Sequence, residues 1–288
     1  MKDGKMEFDP VQYKKTTRQQ WETAAEAWDR WGPLLSEWLG PVTEKMLDMV
    51  GVGDGSRVLD VAAGAGEQTI VAARRVGETG HVLATDISPS ILEYAAAMAQ
   101  NANLNNVSVR ELDGESLTDL KANHYDAVIS RVGLIYFPDQ QKALKGMKHV
   151  LKENGKVGAI VYSTADKNEF FSGPVSIIRR RAKLPPPLPG QPGPFSLGGE
   201  GVLEKAFTDA GFRDVKTEVI QAPVQLKTAA ECLQFEKESF GALHQMLTGL
   251  TAQEQLEAWN EVGEKLSEFE HGGRFVGPCE FVLAVGTK

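Results

Sequence analysis

Cysteine is scarce in this chain: two residues in 288, Cys232 and Cys279, far apart and with no C-x-x-C pair, which excludes a disulfide framework and a cysteine-built zinc site. Long apolar runs are missing too. No stretch approaches the roughly 20 consecutive apolar residues of a membrane span, and the opening MKDGKMEFDPVQYKK has no apolar core to act as a signal peptide. Positive charge is in deficit. Thirty-one Lys and Arg stand against 39 Asp and Glu, a net charge of -8, so no broad basic surface is available for phosphate contacts and nucleic acid is a disfavoured partner. The run Arg179-Arg180-Arg181 is a local patch that does not reverse this balance. The five histidines are not clustered with carboxylates at a metal-ligating spacing, so no metal is expected. No internal repeat is visible. With 42% hydrophobic residues, a chain of this length can bury one large core. The expectation is a soluble cytoplasmic protein, with monomer and homodimer both open.

What is present is an alternation. SRVLDVAA reads as a buried strand, EQTIVAARRV as a helix, GHVLATDIS as a second strand, and SPSILEYAAAMAQNAN as a helix opened by Ser88 and Pro89. NVSVREL and YDAVISRVG continue as strands three and four. DQQKALKGMKHVLK is a helix, ENGK a turn, and VGAIVYS a fifth strand. DVKTEVI and CEFVLAVGTK bring the count to seven. The pattern predicts an α/β fold: a Rossmann-like, mostly parallel seven-stranded sheet with helices on both faces and ligands bound beyond the carboxyl ends of the strands.

Flanking pieces are expected to cover the sheet. Residues 1–50 read as an N-terminal helical lid, 51–163 as the cofactor-binding core, 164–198 as a loop insert, 199–220 as a core helix and strand, 221–277 as a helical substrate cap, and 278–288 as the final core strand. In the lid, Trp21, Ala25, Trp28, Trp31 or Leu35, and Trp38 form an apolar stripe broken at Gly32-Pro33. Such a stripe packs helices onto the sheet or forms an aromatic lid over a ligand. In the insert, LPPPLPGQPGPFSLGG reads as an extended, anchored loop, and the cap reads as two helices.

The chemistry begins at VLDVAAGAGEQT, residues 58–69. A nicotinamide dinucleotide site wants G-x-G-x-x-G after the strand, and here the third glycine is missing after Gly64 and Gly66. Asp60 at the strand end would repel a pyrophosphate but welcome a cation. S-adenosylmethionine carries an ammonium and a sulfonium, and a ribose and adenine that need acceptors. Asp86 closes the second strand where a carboxylate can accept from both ribose hydroxyls, Ile87 can cover the adenine, and Asp113 with Gly114 closes the third strand near the adenine amine. Each acid alone reads as a loop residue or helix cap. Acids at three successive strand ends are the signal.

On these motifs residues 15–163 resemble the class I S-adenosylmethionine-dependent methyltransferases, and within them the group related to ubiquinone/menaquinone biosynthesis. VLDVAAGAGEQT is similar to the family's first motif, VLATDIS to its ribose-binding strand end, ELDGESL to its adenine segment, and YDAVISRVGLIYFPD with HVLKENGKVGAIVYS to its fourth and fifth strand regions. Glu153 and Asn154 stand where that family usually has proline and glycine. The resemblance implies that Asp60, Gly64 and Gly66 bound the methionine moiety, Asp86 the ribose, and Asp113 and Gly114 the adenine. Arg131 would lie near the methionine carboxylate or the substrate, and Trp28 of the lid would be a further cofactor-binding residue.

The implied reaction is an in-line displacement that leaves S-adenosylhomocysteine and needs few protein groups. Candidates for an acid–base or orienting role are His244 in the cap and Tyr136 and Tyr162 near strand ends, each with core packing as the plainer reading. Phe170, Phe171, Phe195, Phe235, Phe240 and Met246 suit a pocket for a small apolar acceptor, O- or C-methylated, and equally suit cap packing. No Asn- or Asp-Pro-Pro-aromatic motif follows the fourth strand, so the resemblance does not favour DNA bases or protein glutamine as acceptors. The alternatives are a non-catalytic S-adenosylmethionine-binding module and an NAD-dependent oxidoreductase.

Overall fold

A computed structural model describes residues 8–188 and 190–288; residues 1–7, the start of the expected lid, and Pro189 in the expected loop lie outside the described residues. Two helices come first. α1 (Pro10–Arg30) starts on Asp9, whose carboxylate accepts from the Val11 and Gln12 N–H groups, with Pro10 at the first helical position. α2 (Gly32–Val50) follows after Trp31, placing Gly32-Pro33 at its start and Gly51, at φ +75°, at its end.

The alternating core then runs β1 (Arg57–Val61), α3 (Glu67–Val76), β2 (His81–Asp86), α4 (Pro89–Asn101), β3 (Val107–Glu111), β4 (Tyr125–Arg131), α5 (Gln140–Val150) and β5 (Leu151–Tyr162). α4 is capped by Ser88, whose hydroxyl accepts from the Ile91 N–H. ENGK, expected as a turn, lies inside β5: Asn154 takes φ +64° and the pairing with β4 shifts register between Tyr125 and Ala127. The extra residues are absorbed as a bulge rather than as a loop.

α6 (Glu169–Arg181) occupies the front of the stretch expected to be a loop insert; the proline- and glycine-rich residues behind it carry no helix or strand among those described. The remaining elements are α7 (Val202–Asp209), β6 (Arg213–Gln221), β7 (Val224–Leu226), α8 (Ala229–Ser239), α9 (Gly241–Leu247), α10 (Ala252–Ser267), β8 (Glu270–His271), β9 (Arg274–Gly277) and β10 (Glu280–Thr287). Where two helices were expected in the cap there are three, because the chain breaks at Phe240. A small antiparallel sheet, β7-β9-β8, closes the base of this region.

The main sheet is seven-stranded in the order β3-β2-β1-β4-β5-β10-β6. Neighbours from β3 to β5 are parallel, and β10 alone runs against β5 and β6. It is the Rossmann-like α/β fold expected, with strand order reversing beside β1 and so opening a crevice at the carboxyl ends of β1 and β4. Trp38 of α2 ties the lid to this core: it is buried, its indole N–H donates to the Ala222 carbonyl at 2.7 Å, and its ring lies 5.9 Å from Phe281 of β10. Phe281 also stacks on Tyr162 at 5.1 Å. Replacing Phe281 by Ala removes a fully buried ring from the joint of lid, sheet and cap. The expected loss is about 3–5 kcal/mol of unfolding free energy, read by denaturant titration; a loss below about 1 kcal/mol would show that the joint repacks.

Candidate functional site

The crevice is framed by two left-handed turns. Ala62 after β1 and Val132 after β4 take φ +58° and +59°, uncommon for any side chain and least favourable for a β-branched one. A Cβ on Gly133 would sit 2.4 Å from the Ala62 methyl, so the two turns lie against one another. Beyond them opens a cleft of about 1070 Å³, counted out to its mouth, roofed by α1 and α2. It brings together Gly64, Asp86, Ile87, Asp113, Gly114, Arg131, Trp28, Tyr136 and Tyr162 from the sequence reading.

Asp86 is buried at the end of β2, with Oδ2 accepting from the Gly64 N–H at 3.1 Å and Oδ1 from the Ser88 N–H at 3.0 Å. Burial raises its pKa and these backbone donors oppose the rise. It fixes the glycine turn and keeps lone pairs over for a ligand. Gly64 has φ +59° and nothing within 4 Å of where a Cβ would stand, so its open side is left to the cleft. Asp113 is less free than expected: Oδ2 takes the Lys14 ammonium at 2.7 Å and Oδ1 the Glu115 N–H at 2.9 Å. Lys14 also reaches Glu115 at 2.9 Å, which pins α1 across the end of β3. Gly114 is needed by a ring, since its Cβ would meet Phe137 at 2.4 Å.

Three expected site residues do not line the cleft. Asp60 is fully buried, and both its oxygens are held from α3, by the Gln68 amide and by the Thr69 hydroxyl at 2.6 Å. Burial pushes its carboxyl up to about 7. It joins β1 to α3 rather than facing a ligand. Gly66, at φ +103°, serves helix packing: a Cβ there would strike Ala95 of α4 at 2.9 Å. His244 is exposed on α9, its Nε2 is 2.6 Å from the Lys237 carbonyl and its ring 5.4 Å from Trp259, so it sits outside the cleft.

The acid missed by sequence reasoning is Glu67. It opens α3, lines the cleft, is 5% exposed, and leaves Oε1 without a hydrogen-bond partner. Its other oxygen lies 3.7 Å from Arg131 Nη2, and Arg131 Nη1 donates to the Thr43 hydroxyl of α2 at 3.0 Å. Burial raises the Glu67 pKa and lowers that of Arg131, each opposed by the other's charge. The available signal was an acid directly after the glycine turn, in the first turn of the next helix. Tyr136 and Tyr162 both have their phenols shifted upward by burial, so neither forms a phenolate near neutrality. They are donors and walls. Trp28 lines the cleft with its ring and spends its indole N–H on the Ser239 carbonyl at 2.9 Å. Among the described residues no three His, Cys, Asp or Glu side chains form a metal-ligating group, and no helix is long and apolar enough to cross a membrane.

Comparison with known proteins bears on the fold that carries this cleft. Residues 53–175 match the family model described as a methyltransferase domain. An uncharacterized protein of Mycobacterium tuberculosis is 31% identical over 195 residues, covering 67% of this chain and 65% of that one. Aklanonic acid methyltransferase DauC of Streptomyces sp. is 30% identical over 145 residues, 50% of this chain and 64% of its own. Ubiquinone/menaquinone biosynthesis C-methyltransferase UbiE of Haemophilus ducreyi is 33% identical over 143 residues, 49% and 55%. The chain thus spans under two thirds of the length of the curated relatives it matches. The crystal structure of YcgJ from Bacillus subtilis shares the fold, with a TM-score of 0.56, 17% identity, and coverage of 85% of this chain and 97% of that one. Residues 53–175 are thus similar to a methyltransferase domain, and the chain shares the fold of YcgJ.

Asp60 makes stability depend on pH. Its folded pKa, about 7, lies above the unfolded value near 3.9, so the native state holds the extra proton between them and stability falls as pH rises through that window. Asp60→Asn keeps the shape and removes the titration. The expected outcome is a smaller loss of unfolding free energy between about pH 5 and about pH 8 than in the parent, by on the order of 1–4 kcal/mol in denaturant titrations. Identical pH slopes would mean that Asp60 is ionised in the fold.

Proposed function

We propose that this protein transfers the methyl group of S-adenosylmethionine to a small, largely apolar organic acceptor, releasing S-adenosylhomocysteine. The observation that carries the reading is Glu67, buried at the first turn of α3 with one oxygen unpartnered, beside the Arg131 guanidinium. In a dinucleotide site this helix start receives a pyrophosphate, and a carboxylate there would repel it. The same pair suits an amino acid moiety, with Glu67 accepting from its ammonium and Arg131 donating to its carboxylate. Asp86 would accept from the ribose hydroxyls, Ile87 and Leu112 would flank the adenine, and the open side of Gly64 admits the chain between them.

When bound, the cofactor supplies the electrophilic methyl; the chain supplies position and dryness. Trp21, Trp28 and Phe240 close the cleft above the strand ends, and the Tyr136 and Tyr162 hydroxyls can orient an acceptor as donors. Two relatives are named for methyl transfer to aklanonic acid and for C-methyl transfer in ubiquinone/menaquinone biosynthesis, and the acceptor class proposed here follows them. Calorimetric titration with S-adenosylhomocysteine, with NAD in parallel, tests the reading. Micromolar binding of the first and none of the second is expected, and Asp86→Ala should weaken that binding by about 1–3 kcal/mol through lost charge-assisted hydrogen bonds. Binding of NAD in place of S-adenosylhomocysteine would restore the oxidoreductase alternative.

A further inference from the structure

A second cavity adjoins the cleft and shares Thr17, Trp21, Tyr136 and Phe240 with it. It lies between α1, α6, the proline-rich loop and α9. Its walls are apolar or neutral, with one exception. Among the described residues that line it, Arg179 is the single charged side chain.

Arg179 belongs to the run of three arginines that ends α6. Its neighbours are committed to α10. Arg180 pairs with Glu261, and Arg181 pairs with Glu261 at 2.7 Å and Glu257 at 3.2 Å. Arg179 makes no ion pair among the described residues; one Nη donates to the Pro185 carbonyl at the start of the loop, which leaves most of its five N–H donors unused. A second polar atom waits in the same wall. Ser239 lines the cavity 1% exposed, and its hydroxyl has no partner.

The helix sets the span. Phe171, Val175 and Arg179 lie at i, i+4 and i+8 of α6 and all face the cavity. Phe171 packs 4.5 Å from Phe240, the ring shared with the cofactor cleft, so Phe171 marks the inner end. Eight residues further along the helix, Arg179 stands about 12 Å away, at the outer end.

We propose that the acceptor is an elongated aromatic or polycyclic carboxylic acid, with its carboxylate on Arg179 and its reacting end, about 12 Å distant, at the junction beside Ser239 and Tyr136. This rests on the reading of the cleft as the cofactor site. A single guanidinium matches a single negative charge and offers the planar fork that a carboxylate fits. A phosphate dianion would find no second cation among the described lining residues. Apolar walls strengthen the attraction by keeping the local dielectric low.

The test is binding of two probes of one shape, 4′-hydroxybiphenyl-4-carboxylate and its neutral carboxamide, to the S-adenosylhomocysteine-loaded protein and to Arg179→Gln, read by calorimetry. The parent should prefer the acid by about tenfold, the variant should bind both alike, and the amide should bind parent and variant equally, showing an intact cavity. Equal affinity of acid and amide for the parent, no binding of either, a preference that survives in Arg179→Gln, or loss of the amide in that variant would each overturn the assignment. The cofactor reading fails separately. S-adenosylhomocysteine alone is titrated into both proteins, and because Arg179 does not line the cleft its affinity should be the same in each.

Discussion

A guanidinium buried where β4 ends holds the site together. A buried cation has lost its water and stays in the fold only while opposite charge and hydrogen-bond acceptors surround it. Arg131, its side chain 7% exposed, finds Glu67 of α3 on one side and the Thr43 hydroxyl of α2 on the other, with Asp60 near enough to feel its charge. Strand, core helix and lid helix therefore meet at one charge. Leaving one member of such a pair alone costs on the order of 3–5 kcal/mol, which explains why the lid is built into the core rather than laid over it. The separation of 3.7 Å is loose for an ion pair, and the other carboxylate oxygen, Glu67 Oε1, is buried without a hydrogen-bond partner.

The tryptophan stripe of the lid answers to two environments along its length. Trp38 is core, hydrogen-bonded to Ala222 and packed on Phe170 and Phe281. Trp21 and Trp28, 5.3 Å apart, stand over the cleft, and Trp21 also meets Tyr136 at 5.6 Å. Packing and covering are thus successive parts of one helical face. The polar ends of these rings fasten lid to cap, Trp28 through Ser239 and Trp31 through Glu238, which Arg30 also reaches at 2.7 Å. Because α1 is held at its other end by Lys14 on Asp113 and Glu115, opening the cleft means breaking charge contacts at both ends of that helix.

The central fold was legible because its signals are local. Strands buried on both faces read as apolar runs, and Ser88-Pro89 announces a helix without reference to anything distant. The ridge of small strands was not, since β7, β8 and β9 have two to four residues each and show no period. α6 hides behind an internal Pro174 and a terminal run of arginine, and its apolar face is spaced for a cavity rather than for a full core. In the site, positions fixed by the strand ends were readable: Asp86, Ile87 and Arg131 lie where the motif puts them in the cleft. Glu67 lines the cleft and Asp60 does not, for a reason no spacing reveals. Gln68 and Thr69 project from α3 onto Asp60 and occupy both its oxygens, while Glu67 on the same turn faces Arg131.

Several buried acids and phenols in and around the cavities share a direction. Burial pushes the carboxyls of Asp60, Glu67, Asp86 and Glu236 upward and holds the phenols of Tyr136 and Tyr162 in their neutral form. Glu236 has no partner for either oxygen and no exposed surface. Such walls disfavour charge and therefore favour a reaction that ends with less of it than it began with. Methyl transfer from a sulfonium to an anionic oxygen or carbon is a reaction of that kind, whereas transfer to a neutral nucleophile moves the positive charge onto the acceptor. No histidine lines either cavity among the described residues, and of the carboxylates in the cleft Asp86 is tied to two backbone N–H groups, Asp113 to Lys14, and Glu67 stands beside Arg131. On the reading proposed above, the acceptor suited to such an environment would be one acidic enough to lose its proton without a histidine base, such as a phenol or an enol conjugated to a carbonyl.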